Sequence, residues 1–542
     1  MSSSDASSKH EGQEPEQPLP GMRGASIKSI VILIAVGLAY FLAMLDTTIV
    51  GTAIPKITTE LHSLKDVGWY GSAYQLSNCA LQPLSGKIYT YFNTQWSFFG
   101  FFLIFQLGSV VCGTAQSSAV FAIGRAIAGI GASGLLTGCL LICSISFPAH
   151  QLPSFQGLLV STGQLGVAIG PLLGGILTQY ASWRWCFYIN LPVGGITAIL
   201  LLIFRTPGAT EKPGLKVLRT KGINRTLDLT GFALFATTTV LFFLALEFGS
   251  SRHGYGSAEV IGLFVGSGAG LVLFLCWECR RGADAMVPFF MLRKTVQWCA
   301  SLLMFGFLGM MFIVSYYLPL YFQAVKGDSP FVSGVHNLPV TISQVVLVLI
   351  CGFAVQKIGH QFPFILAGTI LVSVGAGLLS TLQESTRASH WVPYQIIYGI
   401  GVGMVVQMPF IALQAHVPRP QVPSALAILI FTQYFGAALW VTVGQSIFEE
   451  TLRHVLSTQS SSVMVEEIIN GGATAIRSLV SGDHLQEVLA AYATSVDHVM
   501  YLTAVLGVLS FVFGCGLSWE TERLTRSKRK TQNKKAEVEE VS

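Results

Sequence analysis

The run Gly166-Val167-Ala168-Ile169-Gly170-Pro171-Leu172-Leu173-Gly174-Gly175 decides how the chain is read. It carries no charge, four glycines and one proline. Glycines at i and i+4 let a second helix approach closely. A proline in mid-helix removes a backbone hydrogen bond and bends the helix, which membrane bundles tolerate. The run therefore predicts a bent membrane helix packed closely against a neighbour. Its surroundings agree: from Ile88 to Phe204, 117 residues hold only two ionised side chains, Arg125 and Arg184.

Outward from that stretch the whole chain has the same character. Of 542 residues, 52% are hydrophobic and 11% charged, and the mean hydropathy is +0.60. Soluble domains carry about 25% charged residues, so a water-soluble enzyme, a disordered scaffold and a nucleic-acid-binding protein are excluded. A membrane helix needs about 20 apolar residues to cross about 30 Å of hydrocarbon. About fourteen such segments follow one another, near 29–53, 67–87, 96–114, 119–142, 155–178, 184–204, 228–247 and 258–278, then 296–320, 333–356, 363–383, 391–413, 424–447 and 498–519. Membrane barrels would show alternating segments of about ten residues, which the sequence lacks. The expected fold class is an all-α polytopic membrane protein.

Basic residues in the loops set the orientation. With the N-terminus inside, 23 of the 32 Lys and Arg residues fall on the cytoplasmic side, eight outside, and Arg125 within a span. Both termini are therefore expected in the cytoplasm, and the tail run Lys528-Arg529-Lys530 reads as part of the same signal. Residues 1–28 read as a disordered tail rather than a signal peptide. Residues 205–227 form a polar cytoplasmic linker, and a partly helical extracellular loop covers about 449–497. The sequon at Asn224 falls on the cytoplasmic side and goes unused.

Two charges lie at membrane depth. Asp46, in Leu45-Asp46-Thr47-Thr48-Ile49-Val50, is about 10 Å from the outer end of the first span at 1.5 Å per residue. Arg125, the one ionised residue of the fourth span, lies about 9 Å below the outer surface. Hydrocarbon penalises either alone and favours a pair or a proton-linked contact, against the alternative of a purely structural role. Gly129-Ile130-Gly131-Ala132-Ser133-Gly134 fits the dinucleotide pattern but follows no strand, so it reads as helix packing. No phosphate-binding loop occurs, since Gly86-Lys87 is followed by Ile88. The ten cysteines form no disulfide framework, Cys276 and Cys279 read as structural, and the eleven histidines form no metal box. No cofactor is expected.

Together these motifs resemble the major facilitator superfamily, and within it the fungal branch of the fourteen-helix drug:proton antiporters. Residues 166–175 match the antiporter signature G-x-x-x-G-P-x-x-G-G of helix five, and Trp183 to Pro192 follow it. Residues 45–55, ending Ala53-Ile54-Pro55, are similar to the first-helix signature, and 125–134 to that of helix four. Tyr316-Tyr317-Leu318-Pro319-Leu320-Tyr321-Phe322-Gln323 with Ser333-Gly334-Val335 resembles the ninth and tenth helices of fungal members. The resemblance covers roughly residues 30–520. One departure stands out. After Gly86-Lys87 the family carries an acid and a basic cluster that clasp the inner face, and this chain keeps only Lys87. A weak echo of that loop appears at Lys357-Ile358-Gly359-His360 in the second half.

The resemblance implies a major facilitator fold with six-helix halves at 29–204 and 296–520, an inserted helix pair at 228–295 and a basic tail at 521–542. It implies a monomeric secondary transporter in the plasma membrane that exchanges a small amphipathic organic compound (a drug, toxin or secondary metabolite) for protons. Asp46 and Arg125 would couple or gate proton flow. Gly166, Gly170, Pro171, Gly174 and Gly175 would form the bent antiporter interface, and Gln75, Asn337, Gln407 and Gln433 are candidates to line the cavity. The alternatives are an importer or vacuolar carrier of a siderophore or basic amino acid, and a non-transporting membrane sensor.

Overall fold

The computed structural model describes residues 27–61, 67–204, 212, 222–251, 254–457 and 483–541, the side chains beyond 524 aside. The expected tail at 1–28, most of the 205–227 linker and the middle of the expected 449–497 loop therefore lie largely outside the described residues. The structure is built on α1 (Ile27–Glu60), α2 (Val67–Tyr91), α3 (Thr94–Thr114), α4 (Ser118–Ser146), α5 (Leu152–Tyr180), α6 (Asn190–Ile203), α7 (Leu229–Ser251) and α8 (Ala258–Arg281). There follow α9 (Thr295–Ala324), α10 (Leu338–Ile358), α11 (Phe362–Leu379), α12 (Ala388–Val405), α13 (Val422–Ser457) and α14 (Asp483–Val541).

Among the described residues, thirteen helices are long and apolar enough to cross a membrane. The further long helix is α2, whose inward face carries Ser77, Asn78, Gln82, Ser85 and Lys87, all buried. Its polar residues face protein rather than lipid. Local chemistry sets the helix ends. Asn93 caps α3 by accepting from the Gln95 and Trp96 amides at 3.0 and 3.2 Å. Gly359 closes α10 with φ +73°, a conformation suited to glycine.

Packing repeats along the chain. α1 lies along α5 as α9 lies along α13; α3 pairs with α4 as α11 pairs with α12; α2 crosses α4 as α10 crosses α12. The two sets meet reciprocally, α2 on α13 and α10 on α5. Such a repeat is the signature of two similar bundles facing each other. The pair α7–α8 packs on itself and reaches the bundles mainly through α7 against α2.

Contacts between the sets are tight at the end that carries the linker. A Cβ on Gly86 would stand 2.7 Å from Ala427 and 3.2 Å from the Pro423 carbonyl oxygen. Thr90 Oγ1 and Ser424 Oγ are 3.2 Å apart, and Ser154 Oγ donates to the Gly352 carbonyl at 3.2 Å and bonds Gln356. Above this seal a cavity is lined by residues of both sets.

Candidate functional site: a buried ion pair beside a central cavity

The structure brings Asp46 of α1 and Arg125 of α4 together. Arg125 Nη1 lies 2.6 Å from Asp46 Oδ2, and both residues are 1% exposed. Arg125 Nε donates to the Tyr70 carbonyl at 2.9 Å, and the guanidinium lies 4.5 Å from the Tyr74 ring centroid. Asn190 of α6 donates to Asp46 Oδ1 at 3.3 Å and to Ser109 Oγ at 3.0 Å. Charges removed from water need such complete partnering. The sequence reading missed Asn190, Ser109, Tyr70 and Tyr74. A lone amide inside the apolar run after Trp185 was the available signal for Asn190.

Helix α5 sets the position of α1. A Cβ on Gly166 would stand 2.6 Å from the Phe41 carbonyl oxygen, one on Gly170 would strike Thr48, and one on Gly174 would strike Thr52. These glycines, spaced by four, let the two backbones touch. Gly175 belongs to a different face, since a Cβ there meets nothing within 4 Å. Pro171 instead lines the cavity. The run 129–134 behaves alike: a Cβ on Gly129 would strike Tyr74 and Ser77 of α2, and one on Gly131 would strike Phe105 of α3.

The cavity has a volume of about 300 Å³ and is walled by α1, α4 and α5 on one side and α9, α10, α12 and α13 on the other. Thr47, Thr48 and Thr52 face it from the helix that carries Asp46, whereas Asp46 itself turns away to Arg125. Of the four amides expected to line it, Asn337 and Gln433 do. Gln407 and Gln75 do not. Gln407 is fully buried where α5 and α10 cross, donating to the Val348 carbonyl at 2.9 Å. Gln75 is on α2, no residue of which stands among the described lining residues. Gln164 and Gln344, which the sequence reading missed, also line the cavity.

A second ionic cluster lies at the linker end. Lys87 Nζ donates to the Asp284 carbonyl at 3.0 Å, and the charges that act on it are the acids Asp228, Glu278 and Asp284 and the cation Arg281. Asp228, with φ +51°, accepts from the Gly231 and Met286 amides and from Trp277 Nε1 at 3.2, 3.0 and 2.9 Å. Arg281 stands 3.6 Å from it. Glu278 accepts from the Met286 and Val287 amides at 3.1 and 2.8 Å. The acids missing from the loop after α2 thus have counterparts on the α7–α8 pair. Lys212 bonds the Tyr89 carbonyl and donates to Thr94 Oγ1 at 2.8 Å, and burial pushes its ammonium down to about 8.

Residues 36–441 match the family model described as the Major Facilitator Superfamily. The chain belongs to the major facilitator superfamily. It is therefore an integral membrane transporter and not an enzyme. It is 46% identical over 511 residues to the MFS-type transporter pigP of Monascus ruber, covering 94% of this chain and 89% of that one. With the efflux pump mlcE of Penicillium citrinum it shares 43% over 503 residues, 91% of this chain and 90% of the other. Among solved structures it resembles the proton:xylose symporter XylE, with a TM-score of 0.59 at 16% identity over 92% of this chain and 100% of that one. It also resembles the human organic anion transporter MFSD10, with a TM-score of 0.57 at 14% identity over 90% and 99%. At those identities the likeness concerns the fold.

Proposed function

We propose that this major facilitator protein exports an amphipathic organic compound in exchange for protons by alternating access. The observation that carries the reading is the Asp46–Arg125 pair, buried one residue from the cavity wall. A proton on Asp46 removes the negative charge that holds Arg125. The guanidinium keeps the Tyr70 carbonyl and the Tyr74 ring, and α1 is released from α4. Because α1 lies against the glycine face of α5, its movement carries Thr47, Thr48 and Pro171 with it and changes the cavity. The relatives named efflux pumps support the outward direction.

In this proposal α1–α6 and α9–α14 rock as the two halves, with α7–α8 inserted between them in sequence. The excess of basic residues supports a cytoplasmic linker end, with the sealed end on the inner side. The plasma membrane is the proposed location.

The test is Asp46→Asn in sealed vesicles with an imposed pH gradient, following efflux of a fluorescent amphipathic dye. Proton-driven efflux is expected to vanish while the variant still reaches the membrane. Efflux at the unsubstituted rate would remove Asp46 from coupling, and accumulation in the opposite direction would favour an importer.

A further inference from the structure

The cavity wall has a chemistry that narrows what it can hold. No Asp, Glu, Lys, Arg or His stands among its described lining residues. The two nearby charges, Asp46 and Arg125, neutralise each other behind the wall. An ion entering this space would lose its water and meet no counter-charge, so the wall disfavours anions and cations alike.

Two sets of its polar atoms contrast. The hydroxyls of Thr47, Thr48 and Thr52 donate to their own helix, at the carbonyls of Met44, Leu45 and Ile49 (2.6, 3.3 and 3.1 Å). Three amide atoms differ. Asn337 Oδ1, Gln344 Nε2 and Gln433 Oε1 are buried at the wall with no hydrogen-bond partner among the described residues. Gln344 and Gln433 are 6% and 4% exposed as whole residues. A buried polar atom left unpaired is costly, and a ligand that pairs it recovers that cost. All three stand on the α10 and α13 side. The facing wall contributes Met44, Leu136, Leu140, Val160 and Val167, beside the three threonines and Gln164.

We infer that the cavity takes an uncharged, largely apolar molecule carrying hydroxyl and carbonyl groups along one edge, and that Asn337, Gln344 and Gln433 read that edge. The oxygens of Asn337 and Gln433 call for donors, which hydroxyls supply. Gln344 Nε2 calls for an acceptor, which a carbonyl supplies. The apolar body lies against α1, α4 and α5. A space of about 300 Å³ suits a compact polycyclic molecule at the lower end of the drug-sized range. This inference rests on reading the cavity as the substrate site, and is independent of transport direction and of protons.

The test uses the full chain in lipid nanodiscs with no gradient, and four fluorescent probes that share one ring system: pyrene, 1-hydroxypyrene, pyrene-1-sulfonate and 1-pyrenemethylammonium. Energy transfer from protein tryptophans reports saturable binding. 1-Hydroxypyrene is expected to bind about tenfold more tightly than pyrene, the worth of one buried hydrogen bond. It is expected to exceed both charged probes by at least about tenfold. Gln433→Leu should bring 1-hydroxypyrene down to the level of pyrene. Gln433→Glu should raise the affinity of the ammonium probe, a gain that a misfolded variant could not show. A charged probe binding as tightly as 1-hydroxypyrene, a preference that survives Gln433→Leu, or no saturable binding by any probe would each overturn the inference. An importer or an uncoupled carrier would bind these probes in the same order, so failure of the exporter reading leaves this result standing.

Discussion

Asp46 and Arg125 depend chiefly on each other, whereas Lys87 sits among three carboxylates that have partners of their own. The first cluster is a single ion pair, 2.6 Å long, completed by one amide, one carbonyl and one aromatic face. In the second, Asp228 and Glu278 are each held by backbone amides whatever Lys87 does. A network with redundant donors tolerates the loss of one member, while a lone buried pair does not. The difference suits the proposed roles: a site that must change charge state is built with one decisive partner, and a fixed brace with several.

The sharpest way to break the comparison is to remove one charge from the lone pair. Arg125→Met leaves Asp46 buried without its cation and should destabilise the protein by about 3–5 kcal/mol. Adding Asp46→Asn to it should restore much of that stability, because no uncompensated charge remains, without restoring proton-driven efflux. Thermal unfolding in detergent micelles measures the first effect and vesicle efflux the second. A single variant as stable as the parent would show that Asp46 is already neutral in the resting state.

The partnership of Asp46 and Arg125 could be approached from sequence because depth follows from 1.5 Å per residue and hydrocarbon leaves charges few alternatives. The helical bundle was legible for a similar reason, since apolar length alone defines a span. What fills the site was less so. Asn190 is a neutral amide in an apolar run, and neutral polar residues recur across spans without one fixed role. Gln407 and Asn337 look equivalent in sequence, yet one bonds the Val348 carbonyl of α10 and the other faces the cavity, a difference set by helix rotation. Gly175 reads as one of the signature glycines, but only Gly166, Gly170 and Gly174 share the face toward α1. The partners of Lys87 lie far along the chain, on and beside the α7–α8 pair, where no local periodicity could reveal them.

That distinction among the glycines gives a second, smaller effect. Gly170→Ala drives a methyl into Thr48, two residues from Asp46, and should cost about 1–3 kcal/mol as α1 and α5 separate. Gly175→Ala fills open space and should be neutral or slightly stabilising, since alanine favours the helix by up to about 1 kcal/mol. The two variants differ by the same single methyl, so unfolding midpoints compared side by side isolate the packing of α1 from any general intolerance of α5. Equal midpoints would mean that the glycine face does not position Asp46.

The smallest effect is expected at the linker end. Lys87→Met removes the cation but keeps a long apolar stem for the buried site. Asp228 keeps its two amides, the Trp277 indole and the nearby Arg281, and Glu278 keeps its two amides. The loss should therefore be about 1 kcal/mol, that of one net hydrogen bond rather than of an uncompensated charge. Asp228→Asn should cost more than Lys87→Met, because it weakens the acceptor on which three N–H groups converge. Ranking the unfolding midpoints of Arg125→Met, Asp228→Asn and Lys87→Met tests whether redundancy governs the outcome. If Lys87→Met were as damaging as Arg125→Met, the linker-end cluster would itself be a lone pair in energetic terms. The brace between α2 and the α7–α8 pair would then depend on Lys87 alone.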